Sequence, residues 1–459
     1  MNDSPKPAHD PQAHLRFWPE GVPRQIEVPD ASLWTGLQAR ADQTPHEVGL
    51  DFLGRRTTWQ QLHQSALHLA GGLQALGVRK GDRVILFMQN CPQFIVAFHA
   101  VIRLGAVVVP VNPMNKADEL GHYILDASAR VAIASSDIAP ELARASQTAQ
   151  TAHTLHHLIV FDLVDALPED HARQALHWPA LWQNWLPVRH GLPQAAGMQV
   201  HAWQGVLDRQ LQPAAVAVNG DDLALLPYTS GTTGAAKGCH HTHATLLHNV
   251  LAAAPWLDMR AGDATLIVVP MFHITGLVMG MLASVCHGCR LVLLPRWDRQ
   301  QAAQAIQKHR VTHWPNIPTM VIDLLADPAL PSFDLSSLRY IGGGGAAMPD
   351  AVAAELQAKF GLPYIEGYGL TETAAPTHTN PRQAPRRQCL GIPYEGTEAL
   401  VEEWRVQEQD TVTAGQVLGS VVLVKSSHEI TAPVAGTVQR ICVQVEETFA
   451  RGTTLIELS

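Results

Sequence analysis

"LLPYTSGTTGAAKG", residues 225–238, leads an apolar, strand-like segment straight into a loop of small and hydroxylated residues. Gly231, Gly234 and Gly238 let the backbone turn its N–H groups toward one point. The hydroxyls of Ser230, Thr232 and Thr233 add donors, and Lys237 adds a positive charge. Such a set after a strand is polyphosphate chemistry. The spacing is not the G-x-x-x-x-G-K-[ST] of the P-loop, so a phosphate cradle of another kind is expected.

On either side of this loop, from about residue 30 to 390, helix-like and strand-like segments alternate, the pattern of an α/β domain with parallel sheets. "TTWQQLHQSALHLAGGLQALG" has helical periodicity and ends at Gly77. "DRVILFMQ" reads as a strand, "CPQFIVAFHAVIRLG" as a helix and "AVVVPVN" as a strand. The stretch from about 163 to 220, rich in Pro, Gln and Trp, is expected to be an irregular surface excursion.

The chain has 459 residues, 46% apolar and 16% charged, enough for large cores and more than one domain. A net charge of −9 argues against nucleic acid as a partner. The polar start carries no apolar core of a secretory leader, and no apolar run approaches the length of a membrane span. Six cysteines are too sparse for a disulfide framework, so a cytoplasmic setting is expected. Cys286 and Cys289 form a CxxC, read here as the end of a buried helix rather than a redox pair. His240, His241, His243 and His248 lack a carboxylate or thiol at ligand spacing and read as a polar helix start.

With "YGLTET" (368–373), "MFHITG" (271–276), "YIGGGGAAMP" (340–349) and the N-terminal "RRTTWQQL" and "GAVVVPVNP" added to the loop, the chain resembles the adenylate-forming, AMP-binding family of acyl-CoA synthetases. The resemblance implies that Thr229, Ser230, Gly231, Thr232, Thr233, Gly234 and Lys237 bind the ATP phosphates. It makes Gly344, Gly345 and Ala346 the adenine wall and stacks Tyr368 on the base. Thr371 would touch the α-phosphate and Glu372, a hard oxygen donor, would ligate Mg²⁺. Catalytic roles fall to His273, Lys237, Thr371 and Glu372, and CoA is the implied thiol acceptor. Phe272, His273, Trp314, Ile317, Met320 and Val321 suggest an apolar acyl pocket and a fatty acid as the carboxylic acid substrate.

Complete members of that family carry a Thr-Gly-Asp whose aspartate binds ribose, then a domain with a catalytic lysine. Neither is found in these 459 residues. The resemblance therefore implies weak or absent adenylation unless a separate protein supplies the lysine domain.

Beyond about residue 390 the texture changes, and residues 400–459 hold short strand-like runs. "DTVTAGQVL" (410–418) and "ETFARGTTL" (447–455) repeat one pattern, which suggests a small pseudo-symmetric all-β sandwich or flattened barrel. The stretch 394–459 resembles lipoyl/biotinyl carrier domains, so the expected division is 1–393 and 394–459. Lys425, eight residues before the Pro of "APVAG", is the implied attachment site for lipoyl, with biotin or an unmodified lysine as alternatives. A lipoate ligase and a 2-oxoacid dehydrogenase-type complex are the implied partners. Three readings stay open: an acid-activating enzyme with a carrier arm, a lipoyl carrier whose large part only binds nucleotide, and a tether.

Overall fold

The computed structural model describes residues 13–148, 150–151, 154–170, 177–229, 235–397, 399–423, 426–432, 434–445 and 455–458. Two large sheets form its body. One has seven strands, in the order His241–Thr242, Leu223–Leu225, Val107–Val111, Arg83–Phe87, Val131–Ser135, His157–Phe161 and Gln199–Ala202; every pairing except the first is parallel. Val107–Val111 and Val131–Ser135 are buried at every position. Unbroken apolar runs of this kind suit strands covered by helices on both faces.

The second sheet has nine strands. Its parallel centre runs through Val48–Phe52, Arg290–Leu293, Ala264–Ile267, His313–Asn316, Tyr340–Gly343 and Ile365–Leu370. Antiparallel strands close its two ends: Arg55–Thr58 at one, Ala375–Thr379 and Ile392–Pro393 at the other.

Local sequence accounts for the elements around the sheets. The helix Trp59–Ala75 begins with a capping box in which the Thr58 hydroxyl and the Gln61 side chain each bond the other's backbone N–H. Pro92 opens the helix Pro92–Arg103, where its missing N–H costs nothing. "GLVMGMLASVCHG" forms a buried π-helical turn, Gly276–Leu282, continued by the helix Ala283–His287, which Gly288 ends in the left-handed conformation. Burial pushes the Cys286 and Cys289 thiols up to about 12, the opposite of a reactive thiolate pair.

The stretch 163–220 differs from expectation. The backbone of its described residues is largely irregular, but they are built into the body and are not a surface excursion. Trp178, Trp182, Leu186, Trp203 and Val206 are buried in the main core, and Gln199–Ala202 extends the seven-stranded sheet. Gly71 and Gly72 explain the fit. A Cβ at Gly71 would stand 2.2 Å from the Leu211 carbonyl oxygen, and one at Gly72 would stand 2.3 Å from Val206. Large aromatic payloads, not a periodic pattern, anchor this segment.

Beyond residue 398 the described residues form two three-stranded antiparallel sheets: Ala399–Trp404, Val417–Leu423 and Ser426–Thr431, and Thr411–Val412, Gly436–Ile441 and Ile456–Leu458. Val406, Val412, Leu418, Ala432 and Val438 share a small core there. Lys425 and most of the second half of the sequence repeat lie outside the described residues.

Candidate functional site

A cleft of about 290 Å³ opens at the carboxyl ends of the nine-stranded sheet, lined by His273, Gly342–Gly345, Gly367–Glu372, Pro376 and Thr379 among others. Ligands bind open α/β sheets at that edge, because the strands end there and the loops diverge. Three of the motifs singled out in sequence therefore meet in one place. "YIGGGG" ends one parallel strand, "YGLTET" ends its neighbour, and "MFHITG" precedes the π-helical turn.

The glycines of the first motif serve the backbone before any ligand. A Cβ on Gly343 would lie 1.9 Å from the Asn316 carbonyl oxygen, and one on Gly344 would lie 2.4 Å from that of Gly367. Side chains would pry the strands apart, so this wall is flat by construction. Gly345 has φ +88°, open to glycine alone without strain. Gly344 and Gly345 line the cleft and Ala346, exposed beside them, is not among its lining residues. Tyr368 lines it with a half-buried ring, and burial plus the Glu372 carboxylate raise its hydroxyl pKa. Thr371 and Glu372 stand at the rim.

Glu372 is exposed and has no ion pair among the described residues. An uncompensated carboxylate facing a flat-walled cleft fits a hard cation carried in with phosphates. No cluster of three or more His, Cys, Asp or Glu able to hold a metal ion by itself occurs among the described residues. Phosphate oxygens would have to complete the coordination.

His273 is solvent-exposed, yet enough protein surrounds its ring for desolvation to lower its pKa. Its Nδ1 accepts the Thr275 N–H at 3.3 Å, which leaves the proton of the neutral ring on Nε2. Near neutral pH it offers a donor without a charge.

The phosphate-loop sequence is a hairpin in its described part. Tyr228–Thr229 pairs antiparallel with Lys237–Gly238, with Thr229 opposite Lys237. The helix Ala117–Asp126 grips both legs. The Tyr228 hydroxyl donates to Asp126 Oδ2 at 2.6 Å, and His122 Nε2 donates to the Ala236 carbonyl at 2.7 Å. Lys237 is exposed and lies in no ion pair among the described residues. Ser230, Gly231, Thr232, Thr233 and Gly234 lie outside the described residues.

Apart from His273, the residues expected to form an acyl pocket lie away from this cleft. Trp314 is fully buried and stacks on Trp297 at 5.7 Å; Met320 and Val321 are buried, Phe272 is half-buried, and Ile317 is exposed. None of these five lines the cleft. The strand His313–Asn316 alternates, so Pro315 faces the cleft and Trp314 the opposite side. The apolar wall comes instead from Leu257, Ile274, Met279, Tyr340 and Tyr394. Tyr340, first residue of the "YIGG" strand, was open to discovery by counting in twos from Gly342. Leu257, Met279 and Tyr394 come from a helix end, a π-turn and a strand edge, and no local pattern marks them.

Comparison with known proteins agrees with this geometry. The family described as "AMP-binding enzyme" matches residues 37–426, a span that runs past 393 into the β-rich tail. A long-chain-fatty-acid–CoA ligase of Bacillus subtilis is 30% identical over 84% of this chain and 68% of its own length. A feruloyl-CoA synthase of an Amycolatopsis species is 31% identical over 73% of this chain and 58% of its own. Among solved structures, an anthranilate CoA ligase in complex with anthranoyl-AMP shares the fold, with a TM-score of 0.72 at 23% identity over 87% of this chain and 70% of that one. The N-terminal domain of FACL13 from Mycobacterium tuberculosis aligns over 92% of this chain and 99% of its own, at a TM-score of 0.66 and 23% identity. The chain thus belongs to the AMP-binding enzyme family and is an acyl-CoA synthetase-like ligase.

Proposed function

We propose that the cleft binds Mg²⁺-ATP together with a carboxylic acid and joins them as an acyl-adenylate, destined for a thioester with CoA. The acid's carboxylate attacks the α-phosphorus, a P–O bond forms, and pyrophosphate leaves with the electron pair of the broken bond. Gly344, Gly345 and Ala346 flank the base and Tyr368 stacks on it. Thr371 meets the α-phosphate, and Glu372 ligates the metal. Thr229, Ser230, Gly231, Thr232, Thr233, Gly234 and Lys237 hold the outer phosphates, where positive charge offsets what develops as the bond breaks. His273 donates from Nε2 to the acid's carboxylate, whose apolar part meets Leu257, Met279, Tyr340 and Tyr394. The observation that carries this reading is the meeting of the glycine wall, the Tyr368–Glu372 segment and His273 around one cleft. The named relatives act on long-chain fatty acids and ferulate, which places a hydrocarbon-rich acid first among substrates to try.

Calorimetric titration tests the reading. Saturable Mg²⁺-ATP binding is expected, and Lys237→Ala should weaken it about tenfold or more, the loss of one charge-assisted contact of about 1.5–3 kcal/mol. Heat at the level of buffer dilution for the unaltered protein would sink it.

A second reading concerns the tail. Two antiparallel three-stranded sheets with a shared small core, and the pairing of Leu423 with Ser426, favour a carrier-type module, with Lys425 its expected attachment site. Intact-mass measurement of the protein from its native host decides: the added mass of one lipoyl or biotinyl group on Lys425 supports the carrier reading, and unmodified mass argues against it.

A further inference from the structure

The segment that carries Glu372 is held in an unfavourable shape. Directly after the short 3₁₀ turn Thr371–Thr373, both Ala374 and Ala375 have positive φ, 57° and 81°. Two successive non-glycine residues in that region crowd their Cβ atoms, so something nearby must hold the backbone there. Part of the hold is local. The Thr373 hydroxyl accepts the Leu370 N–H at 2.9 Å and lies within bonding distance of the carbonyls of Leu370 and Ala375.

The rest comes from one side chain far away in sequence. Asn249, 5% exposed in the helix His243–Leu257, points its amide nitrogen at three carbonyls of this turn: Thr373 at 3.0 Å, Ala374 at 2.9 Å and Pro376 at 3.3 Å. All three partners can only accept, which fixes the amide orientation. The amide oxygen faces His248 Nδ1 at 3.1 Å, consistent with that orientation. At the start of the same helical region, His241 Nε2 donates to the Thr371 carbonyl at 2.7 Å. The backbone is thus tied down on both sides of Glu372.

We propose that Asn249 is a positioning residue for the metal-binding carboxylate: by holding the strained turn Thr373–Pro376, it sets where Glu372 stands in the cleft. The inference rests on the nucleotide reading above. Removing the amide frees three carbonyls and lets Ala374 and Ala375 relax. The Glu372 backbone then loses its fixed exit direction, although the side chain itself is intact. Groups that orient metal ligands are commonly worth 10–100-fold in metal affinity.

Two measurements on the full chain, made with Asn249→Ala, test this. In calorimetry, Mg²⁺-ATP affinity should fall about tenfold, whereas ATP binding in the presence of a chelator should change less than about twofold. In amide hydrogen exchange without nucleotide, peptides spanning 368–377 should exchange faster while those of the Pro92–Arg103 helix do not. Equal losses with and without Mg²⁺, or exchange in 368–377 unchanged, overturn the proposal. If the unaltered protein binds no Mg²⁺-ATP, the functional reading fails by itself. The exchange result then judges the clamp separately, and faster exchange upholds only the backbone hold.

Discussion

In the body, the strand Val107–Val111 is buried at every position, whereas in the tail the strand Gly436–Ile441 has a single buried residue, Val438. The body's strands run parallel under helices and draw on a core that includes Trp59, Phe94, Phe98 and Trp182. The tail's strands run antiparallel, and its core rests on three valines, a leucine and an alanine, with partly buried Trp404, Ile430 and Ile441 against them. A parallel sheet buried on both faces is stiff enough to carry a cleft at its strand ends, with loops set by the frame beneath. A thin antiparallel module has no such interior, and its useful positions lie at hairpins. Chemistry that demands fixed geometry therefore belongs in the body.

The contrast breaks if a body residue can be truncated cheaply. Trp59 is 1% exposed, and a Cβ on Gly49 would lie 2.5 Å from its indole, so strand and helix meet ring to backbone there. Trp59→Ala should cost about 3–5 kcal/mol, from lost burial and the cavity left behind. Urea denaturation followed through the body's tryptophans would show it as a lowered midpoint. A loss below about 1 kcal/mol would mean that the body repacks as freely as a surface.

Acid should separate the two regions next. His99 is fully buried in the helix Pro92–Arg103; its Nδ1 bonds the Ile95 carbonyl at 2.8 Å, and burial lowers its pKa from 6.5 to about 4. The folded protein holds this ring neutral, so below pH 6.5 the unfolded chain binds more protons. The stability it contributes is complete above that value and is lost as pH falls toward about 4. The interval corresponds to about 3 kcal/mol. His99→Gln, which keeps a donor for Ile95, should flatten the body's stability between those pH values by about that much. An unchanged acid slope in the variant would assign the loss to other buried histidines, such as His243, also lowered to about 4.

How much of this was legible in sequence varies with the physics involved. The helix Trp59–Ala75 and the strands Arg83–Phe87 and Val107–Val111 lie where period and composition placed them, because each pairs strong local preference with a continuous apolar face. The stretch 163–220 was misread because Trp178, Trp182 and Trp203 bind it to the core one large ring at a time, with no repeating pattern. In the site, motif residues meet at the cleft, whereas the other residues expected to line an acyl pocket lie away from it. Gly344, Tyr368 and Glu372 sit in contiguous stretches that end strands, so the chain itself brings them to the rim. The cleft's apolar wall is assembled from Leu257, Met279, Tyr340 and Tyr394, which come from four separate parts of the chain and meet only in the fold. Asn249 escaped for the same reason, its partners lying 124–127 residues away.

The smallest expected effect probes the tail itself. Val438 is 0% exposed, and its backbone is held twice, by Gln409 donating to its carbonyl at 2.7 Å and by its own N–H donating to Asp410 at 2.8 Å. Those bonds survive Val438→Ala, so the substitution isolates side-chain burial. Two buried carbons and a small cavity are worth about 2 kcal/mol. For a unit of this size, whose whole stability is only about 3–9 kcal/mol, that is a large share. Hydrogen exchange in peptides of the strands Val417–Leu423 and Gly436–Ile441 should speed up by about 30-fold, following that free energy. Peptides of Val107–Val111 should not change, because none of the tail's core residues belongs to the body's core. If the body's amides accelerated in step, tail and body would unfold as one cooperative unit. The tail would then be part of the frame that holds the cleft, not an arm attached to it.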